Sequence, residues 1–425
     1  MLDINVIRES PDGLKEGLRK VGEDPAVIDR VRELDAEWRE LVAQAEEMKA
    51  ERNRQSKVIG GMEQGAERDG LIARMREVGD KIGGLDARAA EVREQLDDLM
   101  LRIPNIPHEH VPPGLEEEDD VVVRTQGERP AFDFKPRPHW ELGPELGILD
   151  FERGVKLSGS RFYVLMGDGS RLQRALINWM LDLHVAEHGY VEASPPFIVG
   201  GRCLVGTGEL PKFRDNLYRD VEDDLWLIPT AEAPLTNLHR DEVLAEEELP
   251  RHYCAYTPCF RREKMSAGKD VRGIKRGHQF DKVEMVKYVR PDTSEEELQK
   301  LVANAEDVCK RLGLPYRVRE LCCGQMSFQA SHSYDVEVWA AGCEEWLEVS
   351  SCSNCGDFQA RRANIRYRPA EGGRPRFVHT LNGSGVALPR TVIAVLENYQ
   401  QADGTVIVPE ALRSTMGGLE RIGPQ

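Results

Sequence analysis

Between Val27 and Met48, apolar side chains recur at Val27, Val31, Leu34, Trp38, Leu41, Ala45 and Met48, in alternating steps of four and three. The pattern returns at Leu71, Met75, Val78, Ile82, Leu85, Ala89, Val92, Leu96 and Leu99. Such steps average 3.5 residues, which keeps one narrow apolar seam facing a partner helix. The intervening positions are almost all Glu, Asp, Arg, Lys or Gln. Two helical arms are therefore predicted, at about 27–57 and 71–100. The stretch between them, VIGGMEQGAERDG, is short and carries Gly60, Gly61, Gly65 and Gly70, which favours an antiparallel hairpin within one chain. At about 1.5 Å per residue the second arm would be on the order of 43 Å long, too long and thin for a compact domain, so the hairpin is expected to project. Near its tip, Lys49, Arg52, Arg54 and Lys57 could grip a phosphate backbone. Ordinary solvated coiled-coil charge accounts for them equally well.

After the second arm, LRIPNIPHEHVPPGLEEEDD places four prolines between Pro104 and Pro113 and then an acidic run. Proline removes helix donors and forces extended backbone. The reading is thus an amino-terminal domain over 1–104, a linker over 105–120 with Glu116–Asp120 as solvated surface, and a larger domain over 121–425.

In the larger domain short strands alternate with helices and nothing repeats. Strands are predicted at 225–229, 253–260, 279–289, 333–338 and 345–350, and helices at 171–188, 294–312 and 390–400. This is an α+β domain, a largely antiparallel sheet flanked by helices. GYVEASPPFIV reads as an edge strand, because its two prolines cannot donate to a ladder. Such an edge could pair with a second subunit.

The formal charge of -17 argues against indiscriminate binding to nucleic acid, DNA included, or to anionic lipid, although local basic patches could still hold a polyanion. No run of about 20 apolar residues suggests a membrane span, and MLDINVIRES lacks the features of an export signal, so a cytoplasmic protein is expected. Nine scattered cysteines read as reduced thiols. Cys352-x-x-Cys355 has no second well-spaced pair to complete a zinc site, and the Cys322–Cys323 doublet has poor geometry for one, so buried thiols are the expectation.

One stretch breaks the acidic trend. From Arg261 to Lys282, eight basic residues and three acids occupy 22 positions. YCAYTPCF and HQFDKVEMVKYV read as strands joined by a basic loop. Arg261 and Glu263 fall at the end of the first with side chains on one face, and Phe280, Lys282 and Glu284 share a face of the second. One sheet surface would then present guanidinium, carboxylate and aromatic ring, which suits a ligand with phosphate, amine and a flat base. His278 is expected to be structural.

These residues resemble motif 2 of the class II aminoacyl-tRNA synthetases, and in detail the bacterial-type seryl-tRNA synthetase family. The resemblance rests on FRREKMSAGKDVRGIKRGHQFDKVE, on TAEAPLTNL at 230–238, on EVSSCSNCGDFQARRANIRYR at 348–368, and on HTLNGSGVALPRTVIAVLENYQ at 379–400. GYVEASPPF is similar to motif 1, the dimer-forming element, and the hairpin resembles the family's tRNA-binding arm.

The resemblance implies an ATP-dependent ligase that forms seryl-adenylate and charges tRNA(Ser), with tRNA(Sec) a further candidate acceptor. It implies that Arg261 bridges the α-phosphate and the substrate carboxylate, and that Glu263 helps to seat adenine. Phe280 would stack on the purine against Arg390, and Arg276 would reach the terminal phosphate. Arg261 and Arg390 would be catalytic. Arg262, Val349 and Ser350 belong to the same ATP-binding segments, and Glu348 and Ser351 would hold Mg²⁺. Thr230, Ala231, Glu232, Glu284 and Ser384, with Arg261, would hold serine; which carboxylate reads the hydroxyl stays open. The implied assembly is a homodimer. Two departures from the family pattern stand out: Arg262 and Lys264 where small or neutral residues are more usual, and Gln325 where an aspartate is common. Two other readings remain, a paralogue that loads a non-tRNA acceptor and a catalytically silent binding protein.

Overall fold

The computed structural model describes residues 1–264 and 272–424. The chain divides into two compact units, Leu2–Pro104 and Asn105–Gln425, with Met1 assigned to the second.

In the first unit, two short helices, Ile4–Glu9 and Pro11–Lys20, precede the long helices α1 (Ala26–Gly60) and α2 (Ala66–Arg102), which pack against each other. The seam residues Val31, Leu34, Ala45, Ile82, Ala89, Val92 and Leu96 are buried. Lys49 pairs with Asp86 at 3.0 Å and Arg88 with Glu37 at 2.7 Å, contacts that fix the antiparallel sense. Both helices run further than predicted, so that Gly60 and Gly70 are helical and only residues 61–65 turn the chain. Glu67 and Asp69 in the first turn of α2 favour that earlier start, because carboxylates stabilise the positive end of a helix.

The second unit is built on an eight-stranded sheet. Its strands are β1 (Val121–Gln126), β2 (Val191–Glu192), β3 (Arg251–Phe260), β4 (Gln279–Val289), β5 (Tyr316–Glu320), β6 (His332–Ala340), β7 (Glu345–Asn354) and β8 (His379–Ala387). They lie in the order β1-β5-β6-β7-β8-β4-β3-β2, and every neighbouring pair is antiparallel except β2 with β3. Helices α3 (Gly167–Ala186), α4 (Ser294–Arg311) and α5 (Leu388–Asn398) contribute Leu176, Leu301 and Ile393 to one core with Val283, Met285, Val336 and Leu381 of the sheet. Three strands went unseen in the sequence, β1, β5 and β8. The segment 225–229 is a short strand, Leu225–Leu227, paired outside the main sheet. Val191 of the edge strand is 60% exposed.

The expected linker is fastened rather than loose. Asn105 N donates to Phe328 O and His108 N to Ser331 O, each at 2.9 Å. The acidic run is not simply solvated. The Asp120 side chain is 2% exposed and accepts from Arg319 at 2.6 Å, and Glu117 pairs with the same guanidinium at 2.9 Å. Arg319 lies on the face of β5 opposite the core residue Val318, is nonetheless buried, and needs anions around it, a demand that the charge pattern of one short segment cannot reveal.

Candidate active site

β3 stops at Phe260, and Arg261 N adds one more ladder bond, to His278 O at 2.9 Å. The chain then turns, with Glu263 in the left-handed region at φ 50°. Arg261 and Glu263 therefore do not share a strand face, as alternation suggested; the turn brings both to one cavity. On β4 the alternation holds. Phe280, Lys282 and Glu284 line the cavity, whereas Val283 and Met285 pack into the core beneath the helices. Lys269, part of the expected basic loop, lies outside the described residues.

The cavity is about 310 Å³. In one half, the Arg261 guanidinium lies 5.1 Å from the Phe280 ring centroid and its Nε donates to Pro229 O at 3.1 Å. Arg276 faces Glu263 at 3.5 Å. Arg390, in the first turn of α5, donates to Glu348 O at 2.6 Å and sits 3.4 Å from its carboxylate. Burial raises the Glu348 pKa, but the guanidinium groups of Arg390, Arg261 and Arg276 outweigh it and hold the carboxyl below its ordinary value.

The other half is a nest of buried acids and amides. Glu232 is 6% exposed, and its Oε1 accepts from Gln359 at 2.6 Å, Asn382 at 3.1 Å and Gln329 at 3.3 Å. Glu284, 2% exposed, forms an ion pair with Lys282 and accepts from the Thr230 hydroxyl at 3.3 Å. Lys282 Nζ also donates to Thr230 Oγ1 at 2.7 Å. The amides of Gln329, Gln359 and Asn382 were not anticipated, since nothing at those positions distinguishes a ligand-facing amide from any other.

Two strand irregularities complete the site. On β7, Glu348 pairs with Glu337 and Ser350 with Val336, which leaves Val349 as an unpaired bulge residue. Residues three apart on a regular strand point to opposite faces; the bulge turns both Glu348 and Ser351 into the cleft. On β8, Ser384 pairs with Glu284 and Val386 with Val283, skipping Gly385, so the Gly383–Gly385 segment is bulged strand rather than a tight turn. A Cβ on Gly383 would meet Cys352 Sγ at 2.8 Å, and only glycine fits there. Asp335, opposite Ser351 across the β6–β7 pair, keeps a buried Oδ1 without a hydrogen-bond partner. Glu348 and Ser351, with this neighbouring carboxylate, form an oxygen donor set that fits a hard divalent cation such as Mg²⁺.

Not every predicted residue turns to the cavity. Ala231 is fully buried in a separate apolar cluster with Leu235 and Tyr288. Ser350 Oγ donates to Ser384 O at 2.6 Å from within the core, the cost of the bulge being that one side chain faces away. Arg262 Nε donates to Leu217 O at 2.9 Å and its guanidinium lies over Tyr218, drawn off by an aromatic face. His278 stacks on Phe162, and its Nδ1 approaches Arg261 O at 2.9 Å, so it braces the backbone that carries Arg261. Gln325 is not at the cleft; its amide donates to Leu115 O at 2.7 Å. Cys352 and Cys355 are buried and unpaired. In the first unit, Lys49 and Arg54 have carboxylate partners, Asp86 and Glu51 respectively, and Arg52 and Lys57 occupy the same stretch of α1.

The antiparallel sheet, with Arg261 and Phe280 at adjacent strand ends and Arg390 on the helix that follows β8, is the core of a class II aminoacyl-tRNA synthetase. Residues 213–399 match the family described as tRNA synthetase class II core domain (G, H, P, S and T), and residues 1–107 match the seryl-tRNA synthetase N-terminal domain. The chain belongs to the seryl-tRNA synthetase family. It is 62% identical over 422 residues to a serine–tRNA ligase of Roseiflexus sp., covering 99% of each chain. It is 61% identical to that of Thermomicrobium roseum, covering 100% of this chain and 95% of the relative. Among solved structures it is similar to seryl-tRNA synthetase from Pyrococcus horikoshii complexed with ATP, at 39% identity and a TM-score of 0.92 over the full length of both chains.

Proposed function

We propose that the cleft joins serine to ATP as seryl-adenylate, and that the protein then passes the seryl group to the 3′-terminal adenosine of tRNA(Ser). One observation carries this reading: a single cavity holds an arginine-and-phenylalanine half suited to phosphate and purine, and beside it a buried carboxylate-and-amide nest suited to a small amino acid. In activation the serine carboxylate attacks the α-phosphorus, a new P–O bond forms, and the bond to pyrophosphate breaks with its electrons. The attacking carboxylate is already ionised, so no general base is needed. Negative charge grows between two anions, and Arg261, which lines the cavity, would serve both.

Adenine would sit between Phe280 and Arg390, with Glu263 at its edge and Arg276 toward the terminal phosphate. Mg²⁺ held by Glu348 and Ser351 would neutralise phosphate charge. Val349 and Ser350 would contribute through the backbone between those ligands, and Arg262, held over Tyr218, would support the site without lining it. Thr230, Glu232, Glu284 and Ser384 would read the amine and hydroxyl of serine, with the Ala231 backbone bridging the first two. A nest of this kind rejects alanine because its polar groups would be left unpaired, and close walls exclude the threonine methyl.

The hairpin is the part suited to tRNA, with Lys49, Arg52, Arg54 and Lys57 as phosphate contacts. The exposed edge at Val191 supports a homodimer, and nine cysteines, none of them in a disulfide, support a cytoplasmic setting. Among the described residues no helix is long and apolar enough to cross a membrane.

The test is serine-dependent exchange of pyrophosphate into ATP, followed by tRNA charging. Exchange is expected, and Arg261→Ala is expected to lower it by about a thousandfold or more, the scale of a lost transition-state contact. Absence of exchange in the unaltered protein would overturn the reading. Exchange without charging would point to a different acceptor.

A further inference from the structure

Away from the cleft, four side chains from three distant segments converge. They are His108 and His110 of the segment that follows the first unit, Glu295 in the first turn of α4, and His332 at the start of β6, and one ligand atom from each lies within 4.8 Å of all the others. His332 Nδ1 is 3.2 Å from His110 Nε2 and 2.8 Å from Glu295 Oε2. His110 Nε2 is 3.6 Å from the same carboxylate oxygen, and His108 Nδ1 is 3.1 Å from Glu295 Oε1. Ligands at about 2.0–2.1 Å from a tetrahedral zinc ion are separated from one another by roughly 3.3 Å; the spacings among His332, His110 and Glu295 Oε2, at 2.8, 3.2 and 3.6 Å, bracket that value, and His108 stands beside the other oxygen of the same carboxylate.

Hydrogen bonds tie His332 to Glu295 and Glu320 and His108 to Glu295, whereas His110, 55% exposed, makes only a long approach to the same carboxylate at 3.6 Å. A cation at their centre would draw all four ligands onto one point. The surroundings are those of a metal site too. His332 turns its other nitrogen, Nε2, to Glu320 Oε1 at 2.9 Å, and Asn354 Nδ2 donates to Glu295 Oε1 at 2.6 Å. A ligating imidazole anchored by a carboxylate on its far side, and a ligating carboxylate itself held by a donor, are what orient a metal's ligands. His332 is buried, at 3% exposure, whereas His110 is 55% exposed, which leaves a path for an ion to enter.

We propose that His108, His110, Glu295 and His332 form a structural zinc site. Three imidazoles and one carboxylate suit zinc and do not suit Mg²⁺ or Ca²⁺, which take oxygen. With four protein ligands the site is closed, so its role is to fasten, not to react. It fastens the 105–110 segment to α4 and to β6. The same segment is bonded to Phe328 and Ser331, on either side of Gln329, whose amide reaches Glu232 in the cleft. The ion would thereby stiffen one wall of the proposed serine subsite from outside.

The experiment uses untagged full-length protein, equilibrated with zinc sulfate and passed over a chelating resin, with retained metal measured by mass spectrometry. About one zinc per chain is expected, with a raised melting temperature. His110→Ala, at a half-exposed position where folding is secure, and His332→Gln should each abolish retention and the thermal shift. Glu320→Gln should weaken binding by about 10- to 100-fold, as an outer partner does. Cobalt substituted for zinc should give the spectrum of a four-coordinate nitrogen and oxygen site. A thiolate charge-transfer band would place the metal on cysteine and overturn the proposal. Equal retention by the unaltered protein and His110→Ala, or none by either, would overturn it as well. Pyrophosphate exchange plays no part in these readouts, so they stand or fall apart from the proposed reaction.

Discussion

Glu232 is a carboxyl in a place that resists charge. Burial, reinforced by the neighbouring carboxylates of Glu209 and Glu284, pushes its pKa up to about 8. The empty folded protein therefore keeps a proton there that the unfolded chain, with an ordinary value of 4.5, has released. That contribution to stability is present at low pH and is lost as pH climbs from about 4.5 through about 8. Ligand binding runs the other way. With the serine ammonium group assigned to Glu232, the ionised carboxylate is favoured and binding expels the proton below pH 8. Serine affinity is expected to rise with pH up to about 8, by at most about tenfold per pH unit, and Glu232→Gln should bind weakly with a flat profile. Calorimetry in buffers of different ionisation enthalpy would read both affinity and proton release; a flat profile in the unaltered protein would contradict the assignment. Lys282 and Glu284 make the complementary case. Replacing Lys282 by Met strands a buried carboxylate and is expected to cost about 3–5 kcal/mol in urea unfolding.

At the scale of the element, the bulge at Val349 decides what β7 can do. Deleting Val349 would restore regular pairing and turn Glu348 to the opposite face. Exchange should fall by about 100-fold or more, the scale of a lost oriented charge, with far-ultraviolet circular dichroism unchanged. Val349→Ala, which keeps the residue count, should retain most of the activity. The same bulge marks where sequence reasoning ends. Heptads at 27–48 and 71–99 and the period of two at 279–289 repeat over enough residues to be read directly. A single inserted residue does not repeat, and neither does the left-handed turn at Glu263. Strand β8 was hidden by its glycines, which are there because Cys352 crowds Gly383 and His184 crowds Gly385. Family resemblance pointed to Arg261, Phe280, Glu284 and Arg390, all of which line the cavity. It could not show the amides around Glu232, nor the histidines that meet Glu295 from positions 108, 110 and 332.

For the whole molecule, the two units divide binding from chemistry in the proposed scheme. Replacing residues 27–100 with a short connection should leave pyrophosphate exchange within about twofold and abolish tRNA charging. In the intact protein, the apparent affinity for tRNA should fall steeply between 50 and 200 mM salt, roughly as the number of phosphates neutralised, while exchange should change little. Charging that persisted after loss of the arm would refute the assignment of the hairpin.

The order of strands has a further consequence, for the timing of synthesis. β8 is nearly the last strand made, yet it lies in the middle of the sheet, between β7 and β4. A chain halted at residue 378 would hold two half-sheets, each with an open inner edge of unpaired backbone groups where the keystone belongs. The nest loses Asn382 and Ser384 in that state, and the nucleotide half loses Arg390. Residues 379–390 must therefore be made before the sheet can close and before both halves of the cavity have their full lining. Until then the nascent chain is exposed to mispairing at its centre, not at its rim.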